Sequence, residues 1–205
     1  MNVYVESNFV LELALEQEQS DSCEELIRLA LAGFIQLLIP AFSLAEPHLA
    51  LAGKKKARSK LENDLKAHVA ELGRSKQYRD ELSKFNDLAT FLATSLIMER
   101  AGLQRTTSRL IAEARIIPLD SSILRGADGL TGSLELSVQD SVVLASILSH
   151  LAETKPEESC FLNRNTNDFD NPEIREMLDS YGCRFFGRFD HGLHYIKSRL
   201  TSTSD

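Results

Sequence analysis

Four acidic residues, Glu6, Glu46, Asp140 and Asp168, stand at places where a carboxylate could do chemistry. Each follows a predicted strand, lies in the loop beyond one, or opens a predicted helix. Carboxylates gathered at close range cannot all stay ionised without a counter-charge. Magnesium or manganese would supply it, taking hard oxygen ligands from one or two carboxylates, waters and substrate phosphate. A cation so held generates hydroxide for in-line attack on a phosphodiester and stabilises the leaving oxygen. Beside Glu6, Ser7 and Asn8 are suited to supporting a metal ligand or meeting phosphate, and equally to capping a helix. The cluster Lys54, Lys55, Lys56 and Arg58 could guide a polyanion by counterion release, or be an ordinary solvated helix face.

Other chemistries find less support. The five histidines form no HExxH pattern, and the chain contains no GxSxG, Walker or GxGxxG glycine motif. Nucleotide-driven phosphate transfer, dinucleotide redox chemistry and serine hydrolysis are disfavoured accordingly.

The acids need a scaffold, and the hydrophobic pattern supplies one. Asn2-Val3-Tyr4-Val5 reads as a strand running into Glu6 and a helix over Phe9 to Leu15. Ser20-Asp21-Ser22 predicts an N-cap, followed by a helix that ends at Gly33. Gln36 to Ile39 is a second, buried strand stopped by Pro40, and Ser43 caps a helix that carries Glu46 in its first turn. Residues 54–110 change character, with mixed charge and helix-favouring residues, and are expected to be a helical insertion. Arg115 to Asp120 gives a third strand with its exit, Ser121 opens a short helix, and Gly126 to Gly132 reads as a loop. Ser137 and Asp140 open a helix with Val143, Leu144, Ile147, Leu148 and Leu151 at helical spacing. Ser159 to Leu162 and Cys183 to Phe186 are the last two strands, separated by the polar loop Asn163 to Asn171 and a helix opened by Pro172.

Strands alternating with helix-length crossovers predict a three-layer α/β/α sandwich with a mainly parallel sheet of about five strands. Such sheets bind ligands beyond the carboxyl ends of their strands. Glu6, Glu46 and Asp168 belong near that edge, and Asp140 can point back towards it from a crossover helix.

At these residues the chain resembles the PIN-domain family of nucleases. The matching segments are Val3 to Asn8, Phe42 to Glu46, Asp140 to Ser146 and Phe161 to Phe169, in order and in approximate register. The resemblance implies a metal site made by Glu6, Glu46, Asp140 and Asp168, holding Mg2+ or Mn2+, and a single PIN-like domain over residues 1–205. It implies an endoribonuclease, in many relatives the toxin of a toxin–antitoxin pair, with RNA as substrate, an antitoxin protein as partner and a homodimeric assembly. Two positions depart from the family pattern. Glu6 stands where aspartate is usual, and Asn163-Arg164-Asn165 stands where threonine-x-aspartate is common. Asp168, three residues beyond Asn165, is the candidate fourth acid, with Asp170 as its substitute. These departures leave room for a catalytically weakened RNA- or protein-binding module, and the same acids would serve a structure-specific DNA nuclease.

Composition sets the surroundings. A 205-residue chain with 43% hydrophobic residues can fill one core. Its formal net charge of −7 argues against a surface that coats nucleic acid all over, while allowing a local basic face. Cys23, Cys160 and Cys183 are odd in number and far apart, which disfavours a disulfide framework and suits a reducing cytoplasm. Glu6, Glu12 and Glu16 interrupt any signal-like apolar start. The uncharged run from Leu29 to Ala45 is broken by Gly33, Gln36 and Pro40, so no membrane helix is expected.

Overall fold

The computed structural model describes residues 1–78, 82–165 and 169–202. Short runs of β-branched and aromatic residues form the sheet. In chain order the elements are β1 (Asn2–Val5), α1 (Ser7–Ala14), α2 (Ser20–Leu31) and β2 (Gln36–Pro40). Two long helices follow, α3 (Ala41–Leu72) and α4 (Ser83–Glu113), then β3 (Arg115–Ile117), α5 (Ser121–Leu134) and α6 (Val138–Thr154). The chain continues with β4 (Ser159–Leu162), α7 (Pro172–Asp179), β5 (Cys183–Phe186) and α8 (Phe189–Ser202).

All strand pairings are parallel and the sheet order is β3-β2-β1-β4-β5. Successive side chains of a strand point to opposite faces, so a sheet covered on both sides buries nearly every one. Tyr4, Leu38, Phe161 and Phe185 pack on one face against α5, α6 and α7, with Phe161 edge-on to Phe169 and Phe185. Val3, Val5, Leu37, Ile39, Cys160 and Leu162 pack on the other against α1, α2, α4 and α8. The expected three-layer α/β/α arrangement is therefore the observed one. No helix among the described residues is long and apolar enough to cross a membrane.

The order places a switch at the centre of the sheet. From β1 the chain moves outward to β2 and β3, then returns through α5 and α6 to β4 on the other side of β1. Connections therefore diverge at the carboxyl ends of β1 and β4, which leaves a crevice between them. Glu6 directly follows β1 and Asn163 directly follows β4.

Three local readings need correction. The stretch from Gly126 to Gly132 is helical and belongs to α5, which is fourteen residues long. Asp120 caps α5 through Ser122 N–H and Ile123 N–H, and a Cβ at Gly126 would stand 3.6 Å from Ala145 on α6. Packing of α5 on α6 thus outweighs the cost of three glycines. Helix α3 begins at Ala41, two residues before Ser43, so Glu46 lies beyond its first turn, and Ser43 is buried inside rather than capping. Ser20 is itself helical, with Gln19 at the N-cap position, because Gln19 is held by other bonds described below.

Helix α4 approaches the end of α1 so closely that only glycine fits at 102. A Cβ there would meet the Ala14 carbonyl oxygen at 2.4 Å. Gly→Ala inside a helix ordinarily stabilises by roughly 1 kcal/mol. Here Gly102→Ala is expected to destabilise, by about 1–3 kcal/mol, because backbone must move. Urea unfolding would read the sign directly.

Candidate metal centre

The site begins with the short connection between β1 and α1. Glu6 is the N-cap of α1, and its Oε1 accepts a hydrogen bond from Asn8 N–H at 2.9 Å. Glu6 is 4% exposed, an unusual depth for a carboxyl that has no cationic partner among the described residues. Burial pushes its pKa up from 4.5 to about 7, opposed by hydrogen bonds from Ser7 and Asn8 and assisted by the nearby Glu46 charge.

Ser7 joins the two glutamates. Its Oγ lies 2.5 Å from Glu6 Oε2 and 2.6 Å from Glu46 Oε2. A hydroxyl has one proton to donate. Both contacts are hydrogen bonds only when one carboxyl is itself protonated, which agrees with the raised pKa of Glu6. A proton on Glu6 satisfies both contacts, and a cation bound at this point would take its place.

Asn163 holds the neighbouring strand end. It is fully buried, and its Oδ1 accepts from Asn165 N–H at 2.8 Å and from Asn8 Nδ2 at 3.3 Å. The bond from Asn163 to Asn165 is an Asx turn, the local signal by which the sequence could have singled Asn163 out. Among the described residues Asn163 Nδ2 has no hydrogen-bond partner.

A second polar network fixes this loop to the helices. Glu12, 1% exposed, pairs with Arg164 and accepts from Gln19 N–H at 2.8 Å. Arg164 also meets Glu18 at 3.2 Å, and Gln19 Oε1 accepts from Phe189 N–H at 2.7 Å. The network ties the β4 loop, α1, α2 and the start of α8 together. A buried carboxylate needs such pairing to remain charged.

The predicted acids fall into three groups. Glu6 and Glu46 are brought together through Ser7. Asp140 opens α6, where Ser137 Oγ donates to its Oδ2 at 2.5 Å and Asp140 N–H donates back to Ser137 Oγ at 3.1 Å. Asp168 lies outside the described residues. Its substitute Asp170 is turned to Arg175 at 2.5 Å, and this hydrogen bond holds its pKa below the usual carboxylate range. Among the described residues no three His, Cys, Asp or Glu side chains stand close enough together to hold a metal.

The basic cluster divides as well. Arg58 is committed to Glu99 at 2.9 Å and Ser95 at 3.0 Å, bonds that join α3 to α4. Lys54, Lys55 and Lys56 are exposed on α3.

Comparison with known proteins follows the same lines. Residues 3–169 match the family described as PIN domain. No curated protein sequence matches. Among solved structures the chain is similar to one in the crystal structure of VapBC2 from Rickettsia felis bound to a DNA fragment from their promoter. That likeness has 12% identity and a TM-score of 0.45, and it covers 91% of this chain and 99% of the other. With a family match across most of its length, the chain belongs to the PIN domain family, whose members are generally nucleases.

Proposed function

We propose that the protein is a metal-dependent endoribonuclease that hydrolyses RNA phosphodiester bonds, with Glu6, Glu46, Asp140 and Asp168 as its acidic centre. The observation that carries this reading is the Glu6–Ser7–Glu46 arrangement at the sheet's switch point. Two glutamates held within reach of one hydroxyl, one of them buried, have no cationic side chain paired with them among the described residues. Their donor set is all hard oxygen, which suits Mg2+ or Mn2+. When bound, the cation would activate water and neutralise charge on the phosphate.

The chain's own residues would do the rest. Glu6 and Glu46 would bind the cation, and Ser7 would keep their oxygens at a fixed spacing, retaining its proton for whichever carboxylate turns towards it. Asp140 would add its carboxylate from the start of α6, aligned by Ser137. Asp168, three residues beyond Asn165 in the sequence, would complete the set. Asn8, bonded to both Glu6 and Asn163, would hold the ends of β1 and β4 in register.

Family membership supports a cytoplasmic protein partner such as an antitoxin, and a homodimer. The exposed side chains of Phe91, Ile97 and Met98 on α4 give such a partner apolar surface to cover. A second reading, a weakened module that binds RNA without cutting it, is favoured by Glu6 and Asn165, which stand where the family usually has aspartate. One experiment separates the two. Single-stranded RNA incubated with the protein and Mn2+ is cut under the first reading, and cutting stops with chelator. Under the second it stays intact, and its binding is indifferent to chelator.

A further inference from the structure

A polar cleft adjoins the buried glutamate. It has a volume of about 360 Å³ and is lined by Asn8, Glu12, Gln17, Arg164 and Asn165. Asn8 and Glu12 are one turn apart on α1, Gln17 lies in the connection from α1 to α2, and Arg164 and Asn165 belong to the loop after β4. Asn8 belongs to the cleft and to the acids alike. Its N–H donates to Glu6 Oε1 at 2.9 Å, and its Nδ2 donates to Asn163 Oδ1 at 3.3 Å. A strand whose scissile phosphate lies at Glu6 therefore has the cleft beside it, one residue away.

The chemistry of the lining says which part of a strand it takes. Arg164 faces two carboxylates, the buried Glu12 and Glu18 at 3.2 Å. One guanidinium is thus outnumbered, and a phosphate placed there would meet net negative charge. What the cleft offers instead is amides, on Asn8, Gln17 and Asn165. Gln17 spends its backbone locally, its N–H donating to Glu12 O at 3.0 Å and its carbonyl accepting from Ser20 N–H at 3.1 Å. Its side chain is exposed and forms no hydrogen bond among the described residues. An amide presents a donor and an acceptor side by side, which an adenine completes with its N7 and its N6 amino group. The carboxylates in the wall also suit a base that donates. We infer that the cleft is a subsite for an unpaired adenine of the RNA flanking the scissile bond, read by the Gln17 amide. This rests on the ribonuclease reading for the identity of the strand. Duplex RNA suits the cleft poorly, because the same edge of adenine then lies in a deep, narrow groove that side chains do not reach.

The test measures base preference in binding. Short fluorescent RNAs, one all adenylate and one all uridylate, are titrated with the full chain in chelator and again with Ca2+, and anisotropy gives each affinity. Wild type is expected to bind the adenylate strand more tightly by about fivefold or more, as one well-paired base provides. In Gln17→Ala that ratio should fall below about twofold, while the salt dependence stays as in wild type because no charge has been removed. Gln36→Ala, an exposed amide at the amino end of β2, should keep the wild-type ratio. A strand of abasic sugar-phosphate units should bind no better than the uridylate strand. Equal affinity of wild type for the two RNAs, no binding of either, or a ratio unchanged in Gln17→Ala would overturn the subsite. An abasic strand bound as tightly as the adenylate strand would overturn it too, and would put a phosphate in the cleft. Cleavage of the adenylate strand by wild type with Mn2+, run alongside, reads the parent claim separately. An adenine preference that depends on Gln17, with no strand cut, would leave the subsite standing and the nuclease reading rejected.

Discussion

Glu6→Gln is expected to lower RNA cleavage by about a hundredfold or more and, at the same time, to stabilise the metal-free protein above neutral pH. The first effect follows from losing a carboxylate at the centre of the proposed metal site; support residues alone cost about ten- to a hundredfold in such sites. The second follows from burial. Folding raises the Glu6 pKa from 4.5 to about 7, so the protonated acid is the form the fold prefers. The stability it contributes is complete below about pH 4.5 and is lost as pH rises through about 7. The size of that loss is about 3 kcal/mol. Glutamine cannot ionise, and its amide can accept from Asn8 N–H while donating to Ser7 Oγ, which then donates to Glu46. Urea unfolding in chelator at pH 5 and pH 8 would show wild type losing stability relative to the variant. Parallel behaviour at the two pH values would mean that Glu6 is not held neutral by its surroundings.

Asp140→Asn separates catalysis from folding most cleanly. The side chain accepts from Ser137 Oγ, and an amide oxygen of the same shape can do likewise. Losing one negative charge in the first turn of α6 costs about 0.3–1 kcal/mol through the helix dipole. Cleavage is expected to fall by about a hundredfold while the unfolding midpoint hardly moves. If activity persists at near wild-type level, Asp140 is only a capping residue of α6, and the proposed centre loses a member.

Much of this architecture was legible in the residues, for physical reasons that also explain the errors. The strands were readable because each is a short run buried on both faces, as Val3-Tyr4-Val5 and Cys160-Phe161-Leu162 are. Ser137 announced a helix start because capping is local chemistry, whereas the cap of α5 is Asp120, one residue before the Ser121 to which the sequence points. Gly126, Gly129 and Gly132 misled because glycine reports backbone freedom and says nothing of the α6 surface that removes it. The start of α3 was misplaced for a similar reason. Ser43 looks like a cap in isolation, yet burial inside the fold decides its place.

The site was partly legible. Glu6 and Glu46 could be paired from the strand-end rule. Their joint hold on Ser7 could not, because it depends on how α3 lies against α1. The network of Glu12, Gln19 and Arg164 spans 152 positions between its two charged members, and no local pattern signals it. Gln17 and Asn165 share a cleft only because the loop after β4 is tied to α1.

The central claim is that acids at the switch point hold a divalent cation that cuts RNA. The most direct test mixes one single-stranded RNA with wild type and with Glu6→Gln, with Mn2+ and with chelator, and follows Mn2+ binding to each protein by calorimetry. The account predicts fragments only from wild type with Mn2+, and measurable Mn2+ binding only by wild type. Intact RNA in every lane, with no heat of Mn2+ binding to wild type, would contradict it.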